Sequence, residues 1–268
     1  MCIERKYGSQ SVAHGKNMGD RNVQEQNGWY MKITYLYHSG FSVELEECVL
    51  LFDYYKGKLP EWEKNKAVYV FASHKHQDHF NMGIFDLAKQ YEKIHFFLGS
   101  DIKLSKNYLE RNGIPSSLKE KMTNTGKNKG FEKNGIRVRT LRSNDEGVAF
   151  IVEAEGRTVY HAGDLNWWHW EGEPYPFNEN MEKDYKREID SMKGLSIDAA
   201  FVVLDPRLER ACGWGMDYFL EQVGARAVFP MHMWEKYEII GQYKKTGTGN
   251  AHREQIMDIR EAGQEFEN

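Results

Sequence analysis

Residues 73–80 read Ser73-His74-Lys75-His76-Gln77-Asp78-His79-Phe80, three imidazoles and a carboxylate close behind the apolar run 67–72. This is the feature that most limits the fold. An apolar run of six reads as a buried strand, so the polar groups must emerge together at its carboxyl end, where α/β sheets commonly place their ligands. His74 and His76 alternate and can point two nitrogens the same way from an extended loop. Asp78 and His79 follow on the next turn. Imidazole and carboxylate suit a borderline divalent cation such as zinc. The competing reading is a polar loop that caps a helix, with Ser73 or Asp78 as the N-cap and the histidines facing solvent.

The surrounding pattern is strand after strand. Residues 31–37 read as a first strand, 41–46 alternate apolar and polar, and 48–53 form a continuous apolar run. Further strands are expected over 94–98, 136–141, 148–154, 157–161, 198–204 and 227–229, with Glu155-Gly156 as a hairpin turn. Helical spacing appears over 84–91, from Asp101 to the Asn112-Gly113 stop, over 181–193, over 216–223 before Gly224, and over 250–262 before Gly263. The lysine-rich stretch 116–133 reads as a solvated surface loop, and His95 as a packed strand residue. Periodicity alone predicts mixed α/β. Residues 1–28 are polar and without a period, which predicts a disordered extension ahead of one domain over 31–268.

Composition narrows the chemistry. At 268 residues and 40% hydrophobic the chain can bury a sizeable core. A net charge of -4 gives no long-range attraction for nucleic acid or an anionic membrane, so a small-molecule substrate is the expected partner. Oligomeric state is not legible. Cys2, Cys48 and Cys212 are too scattered for a disulfide framework or a metal knuckle, which favours a reducing cytoplasm. No apolar run approaches a membrane span, and the amino terminus has no hydrophobic signal-peptide centre.

The pattern H-x-H-x-D-H at 74–79, Tyr160-His161-Ala162-Gly163-Asp164 and Pro230-Met231-His232 occur in the order found in the metallo-β-lactamase-fold hydrolase superfamily, which the chain resembles from about residue 31 onward. Its compact, lactonase-like branch is the nearest likeness. The resemblance implies a four-layer αββα sandwich with one or two Zn2+ ions (Mn2+ or iron being alternatives) at one edge. The metal ligands implied are His74, His76, Asp78, His79, Asp164 as a bridge, and His232. Where the family often has a further histidine, this chain has Ser143-Asn144-Asp145-Glu146. Asp145 could substitute as an oxygen ligand, water could take that position, or the site is weak. His38, in the turn after the first strand, sits where the family has a histidine near the active-site side; it reads as a structural turn residue, with a ligand role as the alternative.

The implied activity is metal-assisted hydrolysis of an ester, lactone or phosphoester, with Asp78 orienting the attacking water. His169 is a candidate proton donor or a plug in the aromatic segment 167–170, and Trp168 a candidate pocket wall or core residue. Asp205 and Arg207 are candidates for supporting a metal ligand from behind or contacting a substrate anion, with an ordinary ion pair as the competing reading. Two other classes remain open: a metal-binding or partner-binding member with weakened catalysis, and a nucleic-acid-processing hydrolase.

Overall fold

The computed structural model describes residues 30–267; the expected extension over 1–28 lies outside them. Two sheets face each other. The first has seven strands in the order β13-β1-β2-β3-β4-β5-β6, and the second has six in the order β12-β11-β10-β9-β8-β7. Here β1 is Lys32–Tyr37, β2 Gly40–Glu44, β3 Cys48–Phe52, β4 Ala67–Ala72, β5 Ile94–Gly99, β6 Met122–Thr125, β7 Gly130–Lys133, β8 Ile136–Arg142, β9 Val148–Ala154, β10 Arg157–His161, β11 Ala199–Val203, β12 Ala227–Met231 and β13 Glu265–Glu267.

The continuous apolar strands are continuous because both of their faces are covered. In β3, Cys48, Leu50 and Phe52 join the core between the sheets, while Val49 and Leu51 join a second cluster on the outer face. The core between the sheets is aromatic: Phe41 stacks on Phe201 at 4.3 Å, and Phe71 meets Phe150 edge-on at 5.3 Å. Such pairs contribute about 1 kcal/mol each beyond the area they bury. By contrast β8 alternates, with Ile136 and Val138 buried and Arg137 paired to Glu153 across the β8–β9 ladder at 2.6 Å.

Helices complete the outer layers. On the first sheet lie a 3-10 helix over Met82–Lys89 and α1 over Lys106–Arg111, which bury Ile84, Phe85, Leu87 and Leu109 against Val68, Val70 and Phe96. On the second lie α2, Tyr175–Asp190, and α3, Trp214–Gln222, where Phe219 stacks on Tyr160 of β10 at 5.4 Å. Short helices α4, Glu238–Tyr243, and α5, Gly247–Ala251, follow β12. This is the expected αββα sandwich.

Several local expectations are corrected. The helix expected from Asp101 begins only at Lys106, capped by Ser105 Oγ on the Tyr108 amide. Asp101 accepts from the Lys75 amide at 3.0 Å instead, so its carboxylate braces the histidine-rich loop. The expected loop over 116–133 contains a 3-10 turn, Ser116–Lys121, and two edge strands, β6 and β7, one on each sheet. The helix expected over 181–193 begins earlier and ends earlier, as α2. The terminal helix expected over 250–262 is absent. Buried Ile256 and Ile259 mimic helical spacing, but the Val228 amide donates to Gln255 O at 2.7 Å and the Met257 amide to Val228 O at 2.8 Å, drawing the segment out along β12.

Strand direction decides where the polar residues collect. β3 and β4 run parallel, as do β10, β11 and β12. The residues just past their carboxyl ends, Asp53, Ser73 to His79, Asp164, Asp205 and His232, therefore share one edge of the sandwich. β1, antiparallel to β2 as β2 is to β3, ends at the same edge with His38.

Candidate metal centre

Two groups of donors lie at this edge. One atom each of His38, Asp78, His79 and His232 lie within 4.8 Å of one another, as do one atom each of His74, His76 and Asp164. Asp164 connects the groups. Its Oδ1 is 3.1 Å from His79 Nε2 and 3.5 Å from His232 Nε2, and its Oδ2 is 3.3 Å from His74 Nε2. All six residues expected as ligands are thus brought together, and Asp164, the expected bridge, lies between the two groups.

Three of the buried imidazoles are held from behind. Nδ1 of His79 is 2.7 Å from Asp53 Oδ2, and Nδ1 of His232 is 2.8 Å from Asp205 Oδ2. Nδ1 of His74 is 2.9 Å from Ser73 Oγ, which donates to Asp53 at 2.7 Å. A carboxylate behind Nδ1 selects the tautomer that leaves the Nε2 lone pair free, the usual support of a metal-binding histidine. Asp53 also accepts from the Ser73 amide at 2.7 Å. The loop itself is pressed into place by Gly147 and Gly163, both at positive φ, where an added Cβ would lie 2.2 Å from Ser73 O and 2.9 Å from Ser73 Cβ respectively.

The electrostatics are those of charges gathered in a largely buried site. Burial alone would raise the carboxyl of Asp164, but His79, His232 and His74 around it hold it well below the usual carboxylate range. Burial opposes protonation of His79 too, yet Asp164 and Asp53 raise it well above an ordinary histidine in the metal-free chain. Asp53 is lowered as well: burial pushes it up, and His161 and His79 outweigh that. Burial pushes His74 down.

A cation fits these residues. The Nε2 atoms of His38, His74 and His79 and Oδ1 of Asp164 are buried and make no hydrogen bond. Buried polar atoms left without partners are costly, and here they converge on each other in a nitrogen and oxygen set suited to zinc or a similar ion.

The remaining candidates are placed differently. Asp145 lies outside both donor groups; burial, with Asp164 and Glu146 nearby, raises its carboxyl. The loop's ties run through Asn144, whose Nδ2 donates to Asn166 O at 2.8 Å and Met181 O at 3.0 Å. His169 is turned to Trp214, ring to ring at 4.7 Å, and belongs to neither donor group. Trp168 is buried, donates from Nε1 to Asp164 O at 2.9 Å and packs edge-on to His232, so it supports the bridging residue. Arg207 pairs with Asp205 through Nη2 at 2.5 Å and through Nε at 2.9 Å, and lies 4.8 Å over the Trp234 ring. The ion pair and the contact with a metal-facing histidine are therefore both present at Asp205.

Asp53 and Ser73 do not stand out as site residues in the sequence, and His38 reads there as a turn residue before a ligand. An aspartate closing an apolar run such as Cys48–Phe52 was the available signal for Asp53. A cleft of about 670 Å3 opens beside the centre, its lining including His76 and Asp78 together with Phe80, Met82, Ile102 and Tyr108.

Solved structures share this architecture. Igni18, a metallo hydrolase from Ignicoccus hospitalis, is 17% identical over 89% of this chain and 98% of its own, with a TM-score of 0.62. YhfI from Bacillus subtilis, a metallo-β-lactamase fold protein, is 12% identical over 90% of this chain and all of its own, with a TM-score of 0.55. No curated protein matches the chain. The profile of the β-lactamase superfamily domain matches residues 32–169 of the 268. With the fold, the ordered motifs and that match in agreement, the chain belongs to the β-lactamase superfamily and has the metallo-β-lactamase fold.

Proposed function

We propose that this protein hydrolyses an ester, lactone or phosphoester of a small molecule, using one or two divalent ions, Zn2+ first, held by His74, His76, Asp78, His79, Asp164 and His232. The observation that carries this reading is the convergence of the Nε2 atoms of His79, His74 and His232 on the one buried carboxylate of Asp164, at 3.1, 3.3 and 3.5 Å. A bound divalent ion supplies Lewis acidity and hydrolytic water at neutral pH.

The chain's own residues do the rest. Asp164 keeps both donor groups in register. Asp78, whose side chain is 27% exposed, faces the cleft and accepts a hydrogen bond from the attacking water, fixing its approach. The apolar wall of Phe80, Met82 and Ile102 takes the body of the substrate and excludes bulk water from it. A side-chain nucleophile is not needed, and the cysteines are poor ones: burial raises the thiols of both Cys48 and Cys212. Those free thiols support a reducing, cytoplasmic setting. Among the described residues no helix is long and apolar enough to cross a membrane.

The test is turnover by zinc-loaded protein across esters, lactones, phosphodiesters, phosphomonoesters and β-lactams. Hydrolysis that is abolished by chelation, and in both His79→Ala and His232→Ala, supports the reading. Metal bound without turnover on any class leaves a non-catalytic metal-binding protein, and turnover unchanged in both variants removes the centre from the chemistry.

A further inference from the structure

His38 lies in a tight turn yet keeps its ring buried. It is the first residue of the two-residue connection between β1 and β2, with φ at 56°. Hairpin loops with positive φ favour glycine, asparagine or aspartate there, and its side chain is only 2% exposed. A strained backbone carrying a buried polar ring persists only where surrounding structure enforces it, and such outliers gather at functional sites.

The surroundings do enforce it. The His38 amide donates to Tyr35 Oη at 2.9 Å, and its carbonyl accepts from the His232 amide at 3.2 Å. One residue on, Ser39 O lies 2.8 Å from Nε2 of His161 on the opposite sheet. The His38 ring is packed 4.1 Å from that of His232 and 4.5 Å from that of Trp234. Held this way, Nε2 is buried, makes no hydrogen bond and stands 3.5 Å from Asp78 Oδ2, long for a hydrogen bond but suited to two atoms facing one cation.

We infer that His38 is a direct ligand, through Nε2, of the ion held by Asp78, His79 and His232. This rests on the metal-dependent reading above and adds a residue to it. The consequence is an unequal centre. One side has three imidazoles and Asp78 around Asp164. The other has His74 and the exposed His76, and its neighbouring loop, residues 143–146, brings no imidazole. The His38 side fills first and binds more tightly.

The experiment is a Zn2+ titration of the full chain against a competing chelator, for the wild type, His38→Gln, His38→Asn and His76→Ala. Asparagine tolerates positive φ, and glutamine can still donate a hydrogen bond to Asp78 without offering an imidazole. Two unequal affinities are expected in the wild type. Both His38 variants should weaken the tighter one by about 100-fold, at or beyond the upper end of what loss of a supporting residue costs, and spare the weaker one. His76→Ala should do the reverse. Folded His38 variants with the tighter affinity unchanged, or with both affinities reduced alike, overturn the inference and leave His38 as a hydrogen-bond donor or a packing residue. A wild type that binds no zinc overturns the metal-dependent reading itself. The wild type also answers alone: with one equivalent of Co2+, shifted imidazole N–H resonances from His38, His79 and His232 are expected, and resonances from His79 and His232 only would refute the assignment.

Discussion

Asp53 and His79, 26 residues apart on adjacent parallel strands' ends, are both fully buried and joined at 2.7 Å between Oδ2 and Nδ1. The same carboxylate also receives the Ser73 amide and hydroxyl. One side chain therefore fixes the orientation of His79 directly and of His74 through Ser73, while touching neither the cleft nor Asp164's bridging oxygens.

Asp53→Asn should keep the shape and lose this control. Metal affinity is expected to fall about 10- to 100-fold, read by chelator competition. Asp53→Ala should in addition lower stability by roughly 3 kcal/mol, because it leaves buried donors unpaired, read by denaturant unfolding of the metal-free chain. Full metal affinity in Asp53→Asn would show that the histidines hold their positions without it.

Gly147→Ala tests how tightly the loop is clamped. The new Cβ would sit 2.2 Å from Ser73 O and 2.7 Å from His74 Cβ, at a backbone φ of 69°. A loss of at least about 2 kcal/mol of stability is expected, along with weaker metal binding. Gly135→Ala, also at positive φ but with open space around it, should cost less and leave metal binding intact.

Trp168→Phe separates support of the bridge from substrate contact. An aromatic ring remains but is smaller, and the hydrogen bond to Asp164 O is lost, so at this buried position at least about 1 kcal/mol of stability should go, with lower metal affinity and little change in KM. A raised KM at unchanged metal affinity would instead make Trp168 part of the pocket wall.

His95 gives the fold a pH dependence away from the centre. Burial, aided by Lys133, lowers it to about 4, and its Nε2 is 2.8 Å from Thr123 Oγ1. Between that value and the unfolded value of about 6.5, the unfolded chain binds a proton that the folded chain does not. Stability from this group is therefore complete above pH 6.5 and is lost as pH falls toward 4, by on the order of 2 kcal/mol. Relative to His95→Gln, the wild type should lose stability across that window; parallel pH profiles would refute the assignment.

The strands were legible because burial on both faces writes an uninterrupted apolar run, as in Cys48–Phe52 and Ala67–Ala72, and the gathering of the six candidate ligands at one edge was legible because three motifs carry them in order. What stayed hidden depends on contacts between distant segments. Asp101 has the chemistry of a helix cap and is used to hold Lys75. Ile256 and Ile259 have helical spacing and are drawn out beside β12. His38 looks like a turn residue until β12 delivers His232 against it, 194 positions later in the chain.

The most direct test of the shared, carboxylate-bridged centre is anomalous diffraction at the zinc edge from zinc-soaked crystals of the full chain. The predicted result is a peak within bonding distance, about 2.0–2.2 Å, of Asp164 Oδ1 and of Nε2 of both His79 and His232. A protein that binds zinc but shows its peak away from these three atoms would contradict the account.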